Sequence, residues 1–352
     1  MARERPAIPR AVPMTFQLNR RAAALLDGAL AGADRLGVAI HRTTDGVRVI
    51  DCGVKSPGGT EAGLTLARTA LAGLATVWIE HANTSPLPSM SDLQPSADPW
   101  DGRCPWDVVA VESDSPVAAC LASQYAGWKV SEGKYFAMAS GPVRSAIGRE
   151  DLFDDIGLRE RSDVAVGLLE SSKLPPDEVC RKLATDAGVA PDGLTLLVAR
   201  TASPAGTLQV IARSLETALH KLHDLHFDLA RIVRGLGRAP LAPVPSPADD
   251  LEAIGRTNDA ILYGGQVILE VRGDDAGLAD VARQMVSSAS ASYGQPFRRL
   301  FEQAGYDFYK LDAALFAPAV VELVNVDSGM RHHAGTLAPH VLQASFGTGP
   351  AS

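Results

Sequence analysis

Apolar and polar positions along the chain alternate between two rhythms, and the changes of rhythm predict most of its elements. Residues 19–36 carry apolar side chains at helical spacing, and Asp27 and Asp34 interrupt the run. That pattern predicts an amphipathic helix rather than an export signal. A hairpin follows, with short strands at residues 38–41 and 47–50 turned at Asp45-Gly46. The turn Pro57-Gly58-Gly59-Thr60 leads into a helix from Glu61 and a strand at residues 76–79. Segment 83–105, rich in Ser, Pro and Asp, reads as a long surface loop. A Pro-rich stretch, 239–249, separates a central helix from the C-terminal third, and residues 1–13 read as a loose arm before order begins near Met14.

One arrangement recurs between these loops. A strand at 108–111 precedes Glu112-Ser113-Asp114-Ser115-Pro116 and a helical run. A strand at Leu194–Ala199 precedes Arg200-Thr201-Ala202-Ser203-Pro204 and a longer helix. A strand at 135–139 precedes Ser140-Gly141-Pro142 and a helical stretch at 143–147. Serine at an N-cap with proline at the first helical position is a strong helix start. Three such units imply an α/β protein, with no repeat of solenoid length.

The helix after Pro204 is the most informative element. Leu208, Ile211, Leu215, Ala218, Leu222, Leu225 and Leu229 follow one another by three or four and give one apolar face. Gln209, Arg213, Glu216, His220 and His223 form a second stripe, with Arg213 and Glu216 one turn apart and close enough for an ion pair. Pattern alone favours a solvated face with a helix salt bridge. The alternative is a stripe lining a cleft, where a carboxylate takes a proton from water and a guanidinium fixes its charge. The i, i+3, i+6 spacing of His220, His223 and His226 turns the third ring away from the first, and no HExxH occurs, so no metal site is expected. His332-His333 would point to opposite faces of a strand.

The segment from Gly53 to Thr60 lacks the GxxxxGK[ST] spacing of a nucleotide loop, and neither a strand-borne GxGxxG nor a GxSxG elbow is present. The three Ser-Pro and Ser-Gly-Pro starts could offer N–H groups to an anion, although capping alone explains each one.

Composition narrows the class further. The 352 residues carry a net charge of −8, which argues against a general nucleic-acid binder. No apolar run is long enough to span a bilayer. Cys52, Cys104, Cys120 and Cys180 form no CxxC pair and suit small buried residues in a reducing cytoplasm.

Several longer stretches carry a family resemblance. They are Asp51-Cys52-Gly53-Val54, Glu61-Ala62-Gly63-Leu64, Ala122-Ser123-Gln124-Tyr125-Ala126-Gly127-Trp128 and Ala139-Ser140-Gly141-Pro142. Gly255-Arg256-Thr257-Asn258-Asp259-Ala260-Ile261-Leu262-Tyr263-Gly264-Gly265 and Asp307-Phe308-Tyr309-Lys310 complete the set. In this order, from Met14 to Phe346, they resemble methenyltetrahydromethanopterin cyclohydrolases of methanogenic archaea and methylotrophic bacteria. The resemblance implies a cytoplasmic one-carbon enzyme, tied to formaldehyde oxidation in methylotrophs, that hydrates the methenyl bridge to the N5-formyl pterin without metal or redox cofactor. It also implies a two-lobed α/β subunit with a deep pocket between the lobes, assembled as a homotrimer. We assign residues 14–150 to the first lobe and 151–352 to the second, with the C-terminal segment free to return to the first. The family's catalytic pair, an Arg and a Glu three residues later, falls on Arg213 and Glu216. Gln124, Tyr125, Asn258, Asp259 and Tyr263 become expected pterin contacts, with Ser140 and Ser203 expected to receive a phosphate or tail group.

Overall fold

The computed structural model describes residues 16–82, 100, 104–125 and 127–347. The N-terminal arm and most of the loop expected at 83–105 lie outside the described residues. Strands β1 (Ala39–Arg42), β2 (Arg48–Asp51), β3 (Thr76–Glu80), β4 (Val108–Ser113), β5 (Trp128–Glu132) and β6 (Tyr135–Ser140) come first in the chain. Strands β7 (Ala165–Glu170), β8 (Leu194–Ala199), β9 (Ile232–Pro240), β10 (Gln266–Val271), β11 (Val320–Asn325) and β12 (Arg331–Gly335) follow.

They form two mixed sheets of six strands, in the orders β1-β2-β8-β7-β6-β5 and β12-β11-β10-β9-β4-β3. This is the expected α/β fold, with one sheet at the heart of each lobe. The sheets do not follow the division at residue 150. The first draws on residues 39–51 and 128–199, and the second on 76–113 and 232–335, so the chain passes between lobes repeatedly. Strand pairing rather than chain order decides membership, because β8 finds parallel partners in both β2 and β7.

The first sheet is covered on both faces, and its central strand β8 is apolar except for Thr195. On β8, Leu194, Leu196 and Val198 join one core with Val179 and Leu183 of helix Asp177–Ala187. Leu197 and Ala199 join another with Ala22, Leu26 and Leu66, from helices Leu18–Leu30 and Thr60–Ala70. The second sheet shares a larger core with helices Pro204–Ile211, Ser214–Asp224, Asp250–Gly264 and Pro339–Phe346.

Two helices expected to be continuous are each broken. The first ends at Leu30 and resumes at Ala33–Leu36, across Ala31-Gly32. The central helix stops at Ile211 and restarts at Ser214, then ends at Asp224 instead of running on to Leu229. At that break the Arg213 amide bonds back three residues, to the Val210 carbonyl, as in a tighter turn. The restart sits hard against β9, where Gly237 makes room: a Cβ there would lie 2.6 Å from both the Leu215 nitrogen and the Ser214 hydroxyl. The run after Pro116 forms a wide, π-type helix over Val117–Gln124, a departure associated with functional sites.

Candidate active site

The break in the central helix sets Arg213 between the two lobes. Its guanidinium donates to the Gln124 carbonyl at 2.6 Å, to Ser140 Oγ at 2.9 Å and to Gln209 Oε1 at 3.3 Å. Gln124 ends the π-type helix and Ser140 ends β6, so one buried side chain ties three elements together. Gln124 returns the contact, donating from Nε2 to the Ala212 carbonyl at 3.1 Å. The ion partner of Arg213 is Glu170 at the end of β7, 3.9 Å away, and Glu170 also accepts from Gln209 at 2.9 Å. The expected pair with Glu216 does not form, because the guanidinium is drawn to these acceptors instead.

Glu216 lies one turn further on, 5% exposed. Among the described residues no hydrogen bond or ion pair occupies its carboxylate. Burial pushes its pKa up from 4.5 to about 7, while the positive charges of Arg213 and Arg144 pull it back and Asp224 adds to the rise. The stripe is therefore not a solvated face: Gln209, Arg213 and Glu216 are all buried. It presents an unoccupied carboxylate whose protonation changes near neutrality, as a general base requires.

A second arginine, which the residue pattern did not single out, completes the site. Arg144 is buried, donates twice to Glu150 Oε1, at 3.1 and 2.8 Å, and stacks 4.3 Å from the centre of the Tyr125 ring. The Tyr125 hydroxyl meets His220 Nε2 at 3.2 Å, and the phenol is pushed up to about 12 by burial and by the charge of Glu216. Arg144 stands two residues after the Ala139-Ser140-Gly141-Pro142 motif, and its position there is the available signal.

A family model for cyclohydrolases (MCH) matches residues 17–346. The chain belongs to the methenyltetrahydromethanopterin cyclohydrolase family. It is 43% identical to the methenyltetrahydromethanopterin cyclohydrolase of Methylobacillus flagellatus over 315 residues, covering 90% of each chain. Similarity to that of Xanthobacter autotrophicus is 42% over 327 residues, 92% of this chain and 91% of the relative. The one from Methanosarcina barkeri is 37% identical over 335 residues, 94% and 98% of the two chains.

Within this cyclohydrolase fold the remaining expected contacts divide sharply. Gln124, Tyr125 and Ser140 gather around Arg213 and Glu216. Ser203 caps helix Pro204–Ile211, accepting from Gly206 N at 3.0 Å and donating to the Arg200 carbonyl at 2.8 Å. Neither Ser115 nor Ser140 caps its helix. Asp259 accepts from Phe297 N at 2.8 Å, and Tyr263 donates to the Gln295 carbonyl at 2.6 Å, so both fasten helix Asp250–Gly264 to the segment beside it. Burial drives the Asp259 carboxyl up to about 7 in that interior position. Asn258 is half-buried and donates to Ile254 O at 2.8 Å.

No group of three His, Cys, Asp or Glu among the described residues is arranged to hold a metal ion. His223 instead contacts Asp155 at 2.8 Å, at the edge of a cavity of about 540 Å³ that Ile156, Phe227 and Leu229 also line. The four cysteines are free thiols, and no described helix is long and apolar enough to cross a membrane.

Proposed function

We propose that this chain hydrates the methenyl bridge of a tetrahydromethanopterin-type carrier, with Glu216 as general base and Arg213 as the group that orients the water or steadies the developing oxygen. The observation that carries the reading is the buried, unoccupied carboxylate of Glu216, one turn from an arginine fixed by three acceptors.

The chemistry suits such a pair. The methenyl carbon lies between two nitrogens that share a positive charge, so it is electrophilic without a Lewis acid. Water oxygen adds to that carbon while Glu216 takes one water proton. The bond to one nitrogen then breaks as the oxygen becomes a formyl carbonyl. One water proton ends on the departing nitrogen and the other is released, so a cation and water give a neutral formyl product and a proton. The Arg213 guanidinium, oriented by Gln124 and Ser140, places positive charge beside the developing oxygen. Glu216 needs its charged form for hydration and its neutral form for the reverse step, and a pKa near 7 provides both.

Tyr125 is the substrate contact this site favours, with Asn258 a further candidate. Gln124 and Ser140 act through Arg213 rather than on the pterin. Substrate would enter a deep pocket between the lobes. The subunits assemble as homotrimers in the cytoplasm, and turnover needs no metal or redox cofactor. The test is loss of methenyl-pterin absorbance on adding purified protein, with the tetrahydrofolate analogue as control carrier and chelator present throughout. Acceleration confined to the methanopterin carrier supports the reading, and no acceleration sinks it. Sedimentation of the same sample tests the trimer.

A further inference from the structure

Resting on that reading, the reaction raises a question its two central residues leave unanswered. Each turnover releases one proton into a site where Glu216 is only 5% exposed. A buried base that cannot pass its proton on stops after one cycle.

Helix Ser214–Asp224 is continuous, and positions 216, 220 and 224 stand one above another on it. His220 Nε2 contacts Tyr125 Oη at 3.2 Å and Asp224 Oδ1 at 3.5 Å. The two rings meet edge to face, with centroids 4.8 Å apart. Exposure rises along the row, from 5% at Glu216 to 31% and 40% for the side chains of His220 and Asp224. We propose that His220, joined to Tyr125 and Asp224, is the route by which Glu216 exchanges its proton with solvent.

The groups around His220 suit transfer rather than storage. Asp224 lies against it from its own helix with the charges of Lys221 and His223 nearby, Tyr125 meets it from the end of the π-type helix, and Arg144 lies beyond the Tyr125 ring. Burial, opposed by Asp224, holds the imidazole below its usual 6.5, and His223, Lys221 and Arg144 reinforce that, so the ring is neutral at rest and gives up a proton quickly. The neutral ring takes up a proton leaving Glu216 and loses one to Asp224 or to water. Where entry and exit use different nitrogens, a turn of the imidazole or proton exchange with solvent restores the starting tautomer. Arg144, stacked on Tyr125, keeps the phenol against the imidazole. His220 therefore acts through Glu216 and not on the carrier.

Buffer rescue separates this role from a structural one. His220→Ala and His220→Gln should each lower kcat by about 100-fold in dilute non-imidazole buffer, the loss typical of a missing proton-transfer group, with KM unchanged. The glutamine keeps a hydrogen bond to Tyr125 but carries no proton. Added imidazole should restore the alanine variant in a saturating manner and leave the wild type unaffected. Wild-type kcat for either variant in dilute buffer overturns the relay, as does a loss that imidazole does not reverse. A wild type inert toward the methenyl carrier overturns the proposed function itself, a distinct result.

Discussion

Glu216 should cost the folded protein stability wherever it is ionised. Its carboxyl titrates near 4.5 when the chain is unfolded and near 7 in the folded site. Because the folded value is the higher one, any stabilisation is fully present below about pH 4.5 and is lost as pH rises through 7. Above 7 the folded state holds a buried charge that the unfolded state hydrates freely. The gap corresponds to roughly 3 kcal/mol at 1.36 kcal/mol per pH unit. Glu216→Gln keeps the shape and removes the charge, so it should be more stable than wild type by about that amount at pH 8, several degrees in Tm. Below pH 4.5 the two proteins should melt together. Thermal denaturation of both across pH 4–8 measures the difference directly, and Asp259, which also titrates near 7, cancels because both proteins carry it. A melting difference that does not change with pH would refute the idea that burial, and not a lost contact, sets the state of this carboxylate.

The same value predicts the pH profile of hydration: kcat/KM should rise with pH and reach half its plateau near 7. Arg144→Met removes a positive charge that lowers the Glu216 pKa and should shift that midpoint to higher pH, read from the profile of the variant. Arg213→Lys cannot reproduce the fork that serves Gln124, Ser140 and Gln209. Losing one charge-assisted bond of about 1.5–3 kcal/mol should lower kcat/KM about 10- to 100-fold, and steady-state kinetics would show it.

Local signals proved legible where physics acts locally. The Asp45-Gly46 turn marks the hairpin, and the pairing Ala39↔Asp51 to Arg42↔Arg48 lies within a residue of the expected strands. Ser203-Pro204 starts its helix as the capping chemistry demands. Register across distant segments was less visible. Strand β7 is apolar up to its last residue, Glu170, with Gly167 in its middle, and offers no alternation to read. The break at Arg213 leaves no mark in the apolar spacing, because Leu208, Ile211 and Leu215 pack into one core across it. It depends instead on Gly237, more than twenty residues later. The burial of Gln209, Arg213 and Glu216 depends likewise on β6, β7 and the π-type helix, which a helical wheel does not contain. Family resemblance points to Arg213 and Glu216, but only the folded chain shows that Arg213 is tied to Gln124, Ser140 and Glu170 rather than to Glu216.

The most direct measurement is the rate at which methenyl-bridge absorbance disappears with Glu216→Gln, at pH 8 and matched folded concentration. The variant is expected to be the more stable protein there, so unfolding cannot imitate a catalytic loss. With Glu216 as the base, kcat should fall at least about 100-fold with KM retained. A rate near that of the wild type would contradict it and return the stripe to a purely structural role.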